Sequence, residues 1–517
     1  MKKNILIVLA IGFALFSTSC RQDFEEINTN PNKPTAVPTY GIFNSATKEL
    51  ADATRGAFSS GRFFLPWVQY SAQVNYTDED RYKYRENVNQ NLYRDYYYVA
   101  QDFKTIIDLN TDEATKELVA AYGDNDNQVA VARIMLSYIF ANLVETYGDV
   151  PYYSYGNSDA DFQALQPDLT STPLFADQEK VYADILKELK EASEMLNTNE
   201  KVFTSEGDQL FYSDATKWKK FANSLRLRYA NRVKGILPGA ETHISEAIAS
   251  GVMESNDDNA SQKYDTSDAL ASPLYRAFVV DARYDIAVSD TFIDLLVDSE
   301  DPRVFEMAAP KGLGPADSYD VVKDFSLYQG MPYAVSNANT GDQFKAGVST
   351  FSHNILKPDY SEMFMEYAEV AFLLSENNGW SQDQYIKGIT ASMERWGVDP
   401  ADISTYVSKV DAANKENVLT QKYIALFMQP REAWSEYRRT GYPEIFLLPG
   451  QTNDYLVPTT KGETTYVFES SIDGLTDVPS RVLYPVNLAT LNKDNYLSAQ
   501  QAVGGDKMDT KLFWDVN

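Results

Sequence analysis

The sequence predicts a mainly α-helical fold, an array of paired helices carrying a loop-rich, partly β remainder. Three observations lead there. Apolar residues recur at steps of three and four over several windows of about 15 to 20 residues. Those windows arrive in pairs. Two long stretches, about 236–350 and about 431–517, are instead dense in Asn, Asp, Ser, Gly and Pro, with only short apolar runs.

In chain order, "YRDYYYVAQDF" at 93–103 steps Tyr96, Val99 and Phe103 along one helical face. Val129, Ala132, Leu136, Ile139 and Leu143 form the next stripe, and Met135, Tyr138 and Phe140 between them make that helix apolar almost all round, as a central helix must be. Val181, Ile185, Leu189, Ala192 and Leu196 form a cleaner stripe opposed by Lys187, Lys190, Glu191 and Glu194, which suits an edge. Trp218, Phe221, Leu225 and Tyr229 follow, with Arg226, Arg228 and Arg232 alongside. Phe364, Tyr367, Ala371 and Leu374 repeat the theme, succeeded by "DQYIKGITASMERWG" and "ENVLTQKYIALFM". Paired helices of this length stack as hairpins of the tetratricopeptide kind, each covering its neighbour's apolar face. A strict repeat of about 34 residues is absent, so periodicity alone supports a helical array. The expected division is a single body over 39–517, helical over about 39–235 and 355–430 and loop-rich over the two stretches named above. Short β-prone pieces such as "TTYVF" and "RVLYPV" fall in the last stretch.

The N-terminus reads differently. Lys2 and Lys3 precede an apolar run from Ile5 to Phe16, and Ser17, Thr18 and Ser19 lead into Cys20, the only cysteine among 517 residues. This is the anatomy of a signal peptide over 1–19, too short to span a bilayer as a mature helix. A small-residue step ending on cysteine resembles a bacterial lipoprotein processing site, which implies lipidation of Cys20. Residues 20–38, with Asp23, Glu25, Glu26 and then "NTNPNKPT", read as a spacer.

Composition narrows the partners. With 46 basic and 74 acidic residues the chain carries a formal charge of −28, a field that repels nucleic acid and anionic lipid. Catalytic patterns are weak. His243 and His353 stand far apart with no nucleophile motif beside them, and no local sequence marks a glycosidase's carboxylate pair. No cofactor is expected. Calcium is the one cation considered, through the oxygen-rich runs at Asp124 and Glu254, although neither has the ligand spacing of an EF-hand loop.

Binding chemistry is better represented. Sugars present C–H faces and hydroxyl rims, which suit flat aromatic rings beside amides and guanidinium groups. "WVQYSAQVNYTDEDRY" interleaves Trp67, Tyr70 and Tyr76 with Gln69, Gln73 and Asn75 where apolar periodicity is lost. "SPLYRAFVVDARYD" adds Tyr275, Arg276, Arg283 and Tyr284. These ten residues are the candidate ligand-binding set.

"YGDVPY" (147–152), "FANSLRLRYANR" (221–232), "MEYAEVAFLLSENNGW" (365–380), "GITASMERWGV" (388–398), "EAWSEYRRTGYP" (432–443), "SRVLYPVNLATLNKDNY" (480–496) and "DKMDTKLFWDV" (506–516) together resemble the SusD/RagB family of Bacteroidetes outer-membrane lipoproteins. The resemblance covers nearly the whole mature chain. It implies four tetratricopeptide-like helix pairs with a variable loop-rich part. It also implies a role at the cell surface, capturing glycan or another oligomeric nutrient for a SusC-like TonB-dependent transporter on which the protein sits as a lid. Ligand contacts in that family come from the segment after the first helix, which here contains Trp67 to Tyr82, and from the loop-rich part. A surface glycan hydrolase and a structural lid without its own ligand site are the alternatives.

Overall fold

The computed structural model describes residues 38–204 and 207–516. The expected signal peptide, Cys20 and all of the expected spacer before Pro38 lie outside the described residues. Helices of eight or more residues are numbered α1 to α13. The first six, Thr39–Arg55 (α1), Glu86–Thr111 (α2), Asn125–Tyr147 (α3), Gln178–Met195 (α4), Ala215–Arg232 (α5) and Ala240–Ser250 (α6), pack each against the next in chain order. After the short α7 (Asp290–Asp298), a second block contains α8 (Tyr367–Asn377), α9 (Gln382–Trp396), α10 (Pro400–Val407), α11 (Lys415–Ala425) and α12 (Pro430–Thr440). Contacts of α8 with α5 join the blocks, and α13 (Lys493–Ala502) lies near the C-terminus.

Local chemistry explains where these helices start and stop. Asp124, Asp177 and Asp214 accept N-terminal backbone N–H groups of α3, α4 and α5 at 2.8–3.3 Å, satisfying donors that have no partner inside a helix. Gly148 ends α3 at φ +89, and a Cβ there would stand 2.9 Å from the Val503 side chain. Left-handed backbone and close contact together require glycine in "YGDVPY".

As its all-round apolarity predicts, α3 is central: every residue from Asn127 to Tyr147 is buried. It is long and apolar enough to cross a bilayer, but its surroundings are other helices of the array. Burial of side chains such as Phe140, Leu143 and Ile139 contributes roughly 1.5–3 kcal/mol each. The stripe of α4 is buried as expected, with Lys187 and Glu194 in solvent.

The arginines of α5 are the main surprise. Arg226, Arg228 and Arg232 are as buried as the aromatic stripe beside them. Arg232 pairs with Glu145 of α3 at 3.4 Å, with Glu436 of α12 at 3.0 Å, and with Glu432. Arg228 pairs with Glu369 of α8. Glu145 also accepts from Tyr182, Arg431 and Ser435 at 2.7–3.1 Å. Burial would raise its carboxyl, yet Arg232 and Arg431 outweigh that and hold it at about 2. Next to this seam the Arg438 guanidinium lies 3.3 Å from the ring centroid of Trp434 and 4.5 Å from that of Trp514, and donates to Ser480 O at 2.7 Å. The C-terminal "FWDV" therefore closes the helical core.

The loop-rich stretches are not wholly irregular, since α6 and α7 fall within 236–350, and α13 together with all of α12 but its first residue falls within 431–517. Three two-stranded antiparallel ladders pair β1 (Ser71–Gln73) with β3 (Ile286–Val288), β2 (Ala260–Gln262) with β4 (Glu362–Met365), and β5 (Thr452–Asp454) with β6 (Thr465–Val467). The last includes the β-prone "TTYVF". Phe364, expected to open a helix, belongs to β4, because pairing with β2 keeps the backbone extended until the Tyr367 N–H donates to Asn259 Oδ1 at 2.7 Å.

Candidate functional site

The ladder of β1 and β3 brings together two segments about 210 residues apart. Ser71 faces Val288, Ala72 faces Ala287 and Gln73 faces Ile286. Beyond the paired residues, the N–H groups of Val74 and Asn75 both donate to Asp285 O at 2.9 and 3.3 Å, and Asn75 Nδ2 donates to Tyr284 O at 3.0 Å. Asn75 and Tyr76 from the first candidate segment thus meet Arg283 and Tyr284 from the second at one exposed edge.

Aromatic surface collects there. Tyr76 is 62% exposed at φ +57, Tyr284 is 36% exposed, and Phe58, just past α1, is 51% exposed. The guanidinium groups of Arg62 and Arg283 lie 5.2 and 4.8 Å from the Phe58 ring centroid, a favourable cation–π range. Arg283 is also held by Asp285, with Nε to Oδ2 at 2.9 Å. Gly314 packs so closely on Tyr284 that a Cβ would come within 3.1 Å of the ring.

Beneath the edge, charge stiffens the turn after Tyr76. Asp78 pairs with Lys83 and Arg81 at 2.8 and 3.0 Å, and Glu79 with Arg85 and Arg62 at 2.8 and 3.2 Å. The hydrogen bond from Lys83 holds the Asp78 carboxyl below its usual range. Asp80 is buried, which pushes its carboxyl up to about 7, while its Oδ2 accepts the Gln73 N–H at 3.1 Å.

Four candidates do not reach the surface. Trp67 packs among Phe63, Phe64 and Trp434 with centroids 5.3–5.9 Å apart, and Tyr70 stacks on Tyr423 at 4.7 Å. Gln69 bridges Leu447 and Thr291 through its amide at 2.7–3.0 Å, and Gln73 bonds Glu79 at 2.8 Å. These side chains anchor the loop to the core, so their expected place on a ligand platform is corrected. Loss of helical periodicity marked a change of backbone, with Gln69 at φ +51, and not exposure. Tyr275 and Arg276 are half-buried, with Arg276 paired to Asp52 of α1 at 3.4 Å.

Phe58 has no sequence signal of its own, because the two Phe residues of "RGAFSSGRF", Phe58 and Phe63, form no pattern with their polar and small neighbours. The calcium candidates have local duties. Asp124 caps α3, while Glu254 and Asp258 pair with Lys220 at 2.8 and 3.0 Å. His243 Nδ1 accepts from Arg226 at 2.8 Å; burial first, then Arg226, lowers its pKa to about 4. His353 lies against the Tyr319 ring. Among the described residues no group of three or more His, Cys, Asp or Glu is placed to hold a metal ion.

A helical array with exposed aromatic rings gathered at a loop edge defines a scaffold-and-loop architecture. Residues 31–461 match a SusD-like family described as starch-binding associating with outer membrane, and residues 408–515 match the family of SusD and RagB outer membrane lipoproteins. The chain belongs to the SusD/RagB family of outer membrane lipoproteins, as its motifs suggested. No protein of curated function matches it in sequence. Among solved structures, one titled a chitin-binding protein is 26% identical with a TM-score of 0.73, the alignment covering 93% of this chain and 100% of that one. A chitin-binding SusD homologue from Flavobacterium johnsoniae (21% identity, TM-score 0.71, 93% and 99% covered) and a SusD homologue from Parabacteroides distasonis (19%, 0.73, 93% and 98%) share the fold. The mainly helical, tetratricopeptide-like class expected from the sequence is the observed one.

Proposed function

We propose that this protein is a cell-surface, non-catalytic glycan-binding lipoprotein, tethered through a lipidated Cys20, that passes captured oligosaccharide to a SusC-like TonB-dependent transporter. The observation that carries this reading is the convergence of Phe58, Tyr76 and Tyr284 with Asn75, Arg62 and Arg283 at one edge. Large exposed rings are costly on a soluble surface unless something covers them. A sugar ring offers C–H groups to such faces and hydroxyls to the neighbouring amide and guanidinium groups. Family membership supports the outer-membrane setting, and two similar structures are described as chitin-binding, which puts chito-oligosaccharides first among ligands to try.

Isothermal titration of the mature protein against chito-, malto- and manno-oligosaccharides, with a reducing-sugar assay alongside, tests the reading. Heat without product is expected. Product release would favour the hydrolase reading, and no binding combined with co-purification of a large β-barrel would favour a lid without a ligand site. Mass spectrometry of the mature N-terminus is expected to show acylated Cys20.

A further inference from the structure

A cleft of about 470 Å³ runs beside α1 and takes no part in the edge described above. It is lined by Asn44 and Lys48 of α1, by Gln209 and Tyr212 from the turn before α5, and by Gln262 and Tyr264 from β2 and the residues after it. Gln262 is only 2% exposed, yet its amide is half satisfied. Its Nε2 donates to Lys263 O at 2.7 Å and faces Gln209 Oε1 at 3.5 Å, which fixes the orientation of the amide and leaves Oε1 without a hydrogen-bond partner among the described residues. Asn44 Oδ1 is likewise buried and has no hydrogen-bond partner among the described residues. Native interiors rarely leave such acceptors empty, and two lining one cleft mark a place where donors are supplied from outside.

The remaining lining suits one class of donor. Tyr212 is 61% exposed at φ +53, a strained position for an aromatic residue, and Lys263 holds it there. The Lys263 ammonium lies 4.3 Å from the ring centroid and donates to the phenol oxygen. Among the described residues it makes no ion pair, in a chain of charge −28.

We propose that this cleft is a second saccharide subsite. A pyranose ring lies on Tyr212, two of its hydroxyls donate to Gln262 Oε1 and Asn44 Oδ1, and Lys263 donates to a third oxygen. The choice of a saccharide over another polar ligand rests on the glycan-binding reading above. The two places are linked along α1. Asp52 pairs with Lys48 at 2.7 Å and with Arg276 at 3.4 Å and accepts from Tyr264 at 2.8 Å, and the helix rises roughly 10 Å from Lys48 to its end at Arg55, three residues before Phe58. An oligosaccharide long enough to span that distance engages both sites, and its affinity exceeds that of a short one through the second, intramolecular contact.

Titration of the mature protein with N-acetylglucosamine oligomers and malto-oligosaccharides of increasing length tests this, using Tyr212→Ala, Asn44→Ala and a Tyr76→Ala/Tyr284→Ala double variant. Tyr212→Ala is expected to weaken the long oligomers about five- to tenfold, as loss of one aromatic stack does, and to leave short-oligomer binding at the edge unchanged. Asn44→Ala should shift the long oligomers in the same direction, and circular dichroism should show both variants folded. Wild-type affinity at every length in Tyr212→Ala and Asn44→Ala would overturn the subsite while leaving the edge reading intact. Long-oligomer binding that survives the double edge variant but is lost with Tyr212→Ala would sink the edge reading and keep the cleft. Failure of the wild-type protein to bind any oligomer would remove both.

Discussion

The buried seam joining α3, α5, α8 and α12 and the exposed edge at β1 and β3 use the same residue types to opposite ends. Beside the seam's ion pairs, the Arg438 guanidinium lies over Trp434 and Trp514, all three are buried, and the Trp434 and Ser480 carbonyls and the Ser435 hydroxyl accept from it. At the edge, Arg283 lies over Phe58, but half of that ring stays in solvent. A cation over an aromatic ring is therefore no sign of a binding site by itself. What separates the two regions is whether the protein also covers the ring, and the seam does so because four helices and the C-terminal segment converge on it.

The largest effect should come from breaking the seam. Arg232→Met strands Glu145, Glu432 and Glu436 without their shared cation and is expected to cost about 3–5 kcal/mol, read as a lower midpoint in urea unfolding or as insoluble protein. An unchanged midpoint would show that the seam contributes no more than surface charge.

Glu362 sharpens the contrast by pH. It is buried, neither carboxylate oxygen has a hydrogen-bond partner among the described residues, and burial pushes its pKa from 4.5 to about 7. Because the folded value lies above the unfolded one, the folded state holds the proton more tightly, and stability falls as pH rises from about 4.5 to about 7. Glu362→Gln should be more stable than wild type at pH 8, by on the order of 3 kcal/mol, with the gap closing by pH 5. Equal urea midpoints at pH 8 would refute this.

Edge residues should alter binding and leave folding almost alone. Tyr284→Ala or Tyr76→Ala is expected to weaken glycan binding by roughly 0.5–1.5 kcal/mol each, a factor of about 2 to 12 by titration, at an unchanged melting temperature. The smallest effect should be the stability change in Arg283→Ala. Its pair with Asp285 is part-exposed, so about 0–1 kcal/mol is at stake, against the several lost with Arg232.

Legibility in the sequence followed the range of the interactions concerned. The stripes of α3 and α4 and the two candidate segments could be read because periodicity and composition are local. The burial of Arg226, Arg228 and Arg232 could not, because the carboxylates that neutralise the last two stand at 145, 369, 432 and 436. Trp67 and Tyr70 misled for a related reason, since an aromatic run without helical period fits a surface platform and a loop anchored in the core equally well. The strands that assemble the edge are three residues long, too short for alternation to register.

By itself, the amino-acid order determined the helices, their caps and their apolar faces, since these depend on neighbours within a few residues. Only the tertiary structure decided which aromatic and charged side chains would be enclosed and which would stay open. The free energy of a ring or a guanidinium depends on whether distant segments displace its water, and Phe58, Tyr76 and Tyr284 share one wet edge because β1 met β3 and, among the described residues, no helix closes over them.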